Sequence, residues 1–94
     1  MANERDTSVW DALVDSPEEA ENLRIRSKIM RAISKAVKSW GVAQKEAAAR
    51  LNVTQPRLND LLKGKIDKFS LDALVNMLAN ADFELEIEIK PKAA

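Results

Sequence analysis

The side chains in this sequence that could act chemically are cations and amides rather than nucleophiles or metal ligands. Cysteine and histidine are both absent from its 94 residues. There is therefore no thiol to attack a substrate, and a zinc site would have to be built from carboxylates alone, an unusual donor set. A Gly-rich phosphate loop is missing too, since glycine occurs only twice. The carboxylates collect in the acidic N-terminal lead and in the alternating run Glu84, Glu86, Glu88, where one exposed strand face suits solubility and edge protection rather than acid–base work. We expect no enzyme, no cofactor and no metal. Twelve Lys and Arg residues fall between positions 23 and 68, against Glu46, Asp60 and Asp67. That stretch carries a net +9, residues 1–22 carry −6 and residues 69–94 carry −3, so the zero overall charge hides a basic middle between acidic ends. Such a local excess is what a phosphate-binding face needs, although a charge run on helices can also be a plain solvated surface.

The elements that would position those groups can be read from periodicity. The length fits one domain with a modest core, which dimerisation would enlarge. No signal peptide is evident and no apolar run approaches the roughly 20 residues that a span requires, so the expected location is the cytoplasm. Val9, Trp10, Leu13 and Val14 have the spacing of a short amphipathic turn of helix. Ser16-Pro17-Glu18-Glu19 reads as a helix start, with Ser16 as cap, Pro17 in the first position and Glu19 completing a capping box. The helix that follows should reach Trp40, with Leu23, Ile29, Met30, Ile33, Val37 and Trp40 as its apolar stripe, and Gly41 should stop it. Three shorter helices fit Gln44–Leu51, Gln55–Lys63 and Leu71–Ala79, with Thr54 and Ser70 as caps, Pro56 in a tolerant first turn and Gly64 as a stop. The spacing predicts an all-α domain of about five helices.

The period then changes. Phe83, Leu85, Ile87 and Ile89 alternate with Glu84, Glu86, Glu88 and Lys90, the two-residue repeat of a half-buried strand, and Pro91 closes it. A lone strand leaves its backbone unpaired. Pairing with its own copy around a two-fold axis would solve this and make residues 83, 85, 87 and 89 the dimerisation face. A strand packed on the helices of one subunit, or held by another protein, is the alternative.

The most specific segment is QKEAAARLNVTQPRLNDLLKG, residues 44–64. Two helices joined by so short a turn must pack closely. Ala48 is small enough for the crossing, Ala47, Leu51, Leu58 and Leu61 face inward, Val53 plugs the gap, and Asn52 accepts the left-handed geometry of the reversal. This pattern resembles the helix-turn-helix of the phage-repressor, or XRE-like, family, over residues 44–64 and more loosely over 23–80. That family usually has glycine where this chain has Asn52. The wider layout, an acidic lead, a long basic helix, TQPRLNDLLKGKIDKFSLDALVNML and a short C-terminal strand, is similar to HigA-like antitoxins of HigBA/RelE-type toxin–antitoxin modules. The resemblance implies a repressor-like fold and a transcriptional regulator that binds its own operator and neutralises a RelE/HigB-like ribonuclease toxin. It also divides the chain into a lead at 1–15, a DNA-binding domain at 16–80 and a dimerisation strand and tail at 81–94.

Roles follow from that resemblance. The second helix of the motif would enter the major groove of a palindromic operator, N-terminal residues toward the bases. Gln55 can pair with adenine, Arg57 with guanine O6 and N7, and Asn59 with adenine or a phosphate. Asp60 could accept only from cytosine, or else point away. Gln44, Lys45, Thr54, Lys63, Lys65 and Lys68 are the phosphate candidates, which position without choosing sequence. Blander roles stand beside these: helix caps for Gln44 and Thr54, a solvated surface for Arg57, core packing for Trp10 and Trp40. Phe69 and Phe83 are expected to be buried, which disfavours single-stranded RNA as a ligand. A stand-alone repressor without a toxin, or an interaction module that does not bind DNA, would share the layout.

Overall fold

The computed structural model describes residues 16–92. Ser16 Oγ accepts the Glu19 amide at 3.3 Å, and Pro17 occupies the first turn of α1, Pro17–Trp40. Ser16 thus makes its half of the expected capping box. Glu18 and Glu19 at the start and Lys38 in the last turn complement the helix dipole. Gly41, at φ 64°, ends α1 in the left-handed region as its sequence position predicts. Ile29, Met30, Ile33 and Val37 form the buried stripe. Leu23 and Trp40, expected on that stripe, are only half-buried, and Ile25 joins Trp40 in packing against the core edge.

Three short helices complete the body: α2, Gln44–Leu51; α3, Gln55–Leu62; and α4, Leu71–Asn80. A single 3-10 turn, Ile66–Lys68, lies between the last two. The sequence-based boundaries of α3 and α4 differ from these by one residue, within the fraying of any helix end. Ser70 Oγ caps α4 by accepting the Ala73 amide at 3.1 Å. The long α1 packs on α3, α4 and the 3-10 turn, while α2 packs on α3 and α4. Their shared core holds thirteen buried apolar residues and no buried charge, with Phe69, Ile33, Leu51, Leu58, Leu61 and Leu74 the largest of those sealed completely.

Four helices are thus formed within the described residues. The predicted fifth, at Val9–Val14, and Trp10 lie outside them. The expected strand is not formed: residues 83–92 take no regular secondary structure and are exposed. The reason is physical, since a strand exists only where another supplies its hydrogen bonds, and the described part of this chain contains no second one. Phe83 was also expected to be buried and is 39 % exposed. Asp82, at φ 61°, reverses the chain after α4, with Asp82 N–H donating to Ala79 O at 3.4 Å and Phe83 N–H to Leu78 O at 2.9 Å. This turn lays the Phe83 ring against Trp40, centroids 6.3 Å apart and planes 9° from parallel.

A hydrogen bond from Arg24 holds the Glu21 carboxyl below the usual carboxylate range, and Lys92 adds a smaller contribution. Exposure rises along the tail, from 42 % at Leu85 to 73 % at Ile87 and 92 % at Ile89. Replacing a sealed core residue tests the packing: Leu58→Ala should lower stability by about 2–5 kcal/mol, read from the denaturation midpoint.

Candidate nucleic-acid interface

Residues 52–54 alone connect α2 to α3, and their geometry follows from Asn52. Its φ of 58° and ψ of 45° are left-handed, as expected for this position. Asn52 N–H donates to Ala49 O at 3.1 Å and Val53 N–H to Ala48 O at 3.0 Å. This paired closure satisfies two carbonyls at the end of α2 and turns the chain sharply. Ala47, Ala48 and Leu51 from α2 meet Leu58 and Leu61 from α3 in the core, and Val53 packs at their edge. Asn80 on α4 donates to Leu51 O at 3.4 Å, tying the turn to the body.

Thr54 Oγ1 caps α3 by accepting the Arg57 amide at 3.3 Å. With Leu58 and Leu61 inward, the opposite side of α3 faces solvent. Gln55, Pro56 and Lys63 are exposed, and Asn59 is half-buried. Gln55, Asn59 and Lys63 recur at four-residue spacing and so share one side. Arg57 does not share it. Its guanidinium carbon lies 4.6 Å from the Phe69 ring centroid, and it borders a groove of about 380 Å³ with Asn52, Asn76 and Met77. The structure therefore gathers two of the three sequence-predicted base readers on one face and puts the third on the flank toward α4.

The phosphate candidates also separate. Gln44 and Lys45 are exposed in the first turn of α2, whose cap residue Ala43 has no side-chain oxygen to offer the free amides. Gln44 is therefore not a cap, whereas Thr54 is. Lys65 Nζ lies 3.4 Å from Asp60 Oδ1, and Lys68 Nζ 3.9 Å from Asp60 Oδ2. Asp60 thus turns toward these two lysines. Of the two readings its position allowed, the structure shows an internal pairing.

Arg26, one of the twelve basic residues of the middle stretch, is a clip. It donates to Ile66 O at 3.1 Å and Phe69 O at 3.3 Å, forty or more residues away. Arg50 similarly pairs with Glu46 at 2.8 Å and lies 4.9 Å over the Trp40 ring. Five others of the twelve basic residues, Arg24, Lys28, Arg31, Lys35 and Lys38, are all exposed and follow a 4-3-4-3 rhythm down the solvent side of α1. Among the described residues no cluster of carboxylates could hold a metal ion, and no helix is long and apolar enough to cross a membrane.

Two short helices locked by a left-handed reversal, the second presenting a polar outer face, constitute a helix-turn-helix unit, the architecture of DNA-binding regulators. Comparison with known families agrees: the chain belongs to a family described as a helix-turn-helix domain, whose model matches residues 12–90. No curated protein matches it.

Substitutions at two positions probe the unit. Thr54→Ala should cost about 1 kcal/mol of stability by uncapping α3. At position 52 glycine should be tolerated and valine should lower the melting temperature, because a β-branched side chain is strained at positive φ. Equal melting temperatures for both variants would argue against the left-handed turn.

Proposed function

We propose that this chain is a sequence-specific transcriptional repressor that binds a palindromic operator as a homodimer, and that it is the antitoxin of a toxin–antitoxin module. The observation that carries the DNA-binding reading is the exposed outer side of α3, with Gln55, Asn59 and Lys63 in one row above the buried Leu58 and Leu61. Residues on such a row reach base edges when the helix lies in the major groove. Arg57 would read a guanine from the flank, since a guanidinium stacked on an aromatic face keeps its N–H edges available. Gln44 and Lys45, the α2 amides, Thr54 and Lys63 would hold phosphates, with Lys65 and Lys68 available once detached from Asp60.

Dimerisation would use the tail. Its unpaired backbone and the exposed Leu85, Ile87 and Ile89 suit an antiparallel ribbon with a second copy. Two recognition helices would then sit about 34 Å apart, one turn of DNA. The antitoxin reading rests on the resemblance of the layout, and the acidic lead is a suitable face for a basic ribonuclease. A small basic reading frame beside the gene would support it, and its absence would leave a stand-alone repressor.

A gel shift with DNA from upstream of the chain's own gene tests the central claim. Binding should occur and should weaken steeply with salt; no binding at low salt would defeat it. Arg57→Ala should remove the preference at one base pair, about 1–3 kcal/mol of discrimination, and leave fold and dimer intact; unchanged operator affinity would remove Arg57 from the reading set. Deleting residues 83–94 should give a monomer that binds DNA weakly, and a stable dimer after deletion would disprove the ribbon.

A further inference from the structure

The carboxylate of Asp60 is out of place on a surface meant for a polyanion. It belongs to the recognition helix and is 26 % exposed, yet each of its oxygens faces a different lysine. The backbone makes this arrangement. Gly64, at φ 77°, closes α3 with Gly64 N–H donating to Leu61 O at 3.0 Å and Lys65 N–H to Asp60 O at 3.1 Å. That turn sets Lys65 beside Asp60. The 3-10 turn then brings Lys68 round, with its N–H on Lys65 O at 3.1 Å. The lysines are thus delivered to the carboxylate by chain geometry and not by side-chain chance.

From this we infer that Asp60 restrains sequence-independent DNA binding by holding Lys65 and Lys68 back against α3, which leaves affinity more dependent on the base-reading row. The inference rests on the DNA-binding reading above. An acid at this place repels phosphate and cancels part of two cations that would otherwise grip any duplex. Such exposed pairs are weak, so the restraint is graded: a well-placed phosphate can detach a lysine, but Asp60 stays behind as an uncompensated charge. Lys63, exposed three residues beyond Asp60 at the same helix end, has no partner among the ion pairs of the described residues and is not one of the two lysines held.

The test uses the full chain and a fluorescent 30-base-pair duplex of random sequence, with anisotropy measured from low to high salt. Asp60→Asn keeps the residue's shape and its backbone carbonyl. It should raise affinity for this duplex roughly tenfold at low salt and steepen the log–log salt dependence by about 1 to 2, since each added phosphate contact contributes about 0.9. Adding Lys65→Gln and Lys68→Gln should return both quantities to the wild-type level or below. In the background that retains Asp60, the same two lysine changes should cost less affinity than they do beside Asp60→Asn, because the lysines are partly held; Asp60→Ser is the second variant should Asp60→Asn fail to fold. An Asp60→Asn protein identical to wild type, a gain that survives loss of both lysines, or an equal cost of the lysine changes with and without Asp60 would each overturn the inference. If neither wild type nor Asp60→Asn binds even at low salt, the DNA-binding reading itself fails and takes this with it.

Discussion

The closure at Asn52 is the constraint on which the rest of the structure hangs. A helix of eight residues is too short to persist alone in water, and α3 has just that length. It persists because the Asn52 reversal sets it against α2 at a point where Ala48 leaves room, so that Leu58 and Leu61 can be sealed completely. Inward contacts therefore supply the stability of α3, and its outer side needs no apolar residue. That division of labour lets a polar row stand on a rigid support.

The same device recurs. Asn52, Gly64 and Asp82 each sit in the left-handed region just past a helix, and each closure pairs two amides with two carbonyls of the last turn. The first sets α3, the second delivers Lys65 to Asp60, and the third aims the tail at Trp40. Only one of the three is glycine. Asn and Asp pay a smaller conformational penalty there than other side chains, since their short polar groups bond locally.

Local signals explain why much of this was legible in the sequence. Ser16, Thr54 and Ser70 cap where their positions suggest, Gly41, Asn52 and Gly64 reverse the chain, and the inward residues of the helix-turn-helix are those that spacing selects. Long-range contacts were not legible. Nothing in the neighbourhood of Arg26 announces two carbonyls forty residues on, and Asp60 acquires its lysines only after two turns have folded. The tail shows a deeper limit. Alternation reveals which side of a segment is apolar, but a strand needs hydrogen bonds from elsewhere, and the alternation carries no information about their source. Asp82 gave no warning either, because aspartate is common in many loop conformations.

Trp40 touches both Arg50 of α2 and Phe83 of the tail. No glycine follows Gly64, and the step from α4 into the tail is closed by backbone bonds on both sides of Asp82. The joint thus lacks a swivel. Anything fastened to the first residues of the tail is geared to the helix-turn-helix through one aromatic ring, and its bearing relative to α3 is set by the fold and not by a slack tether.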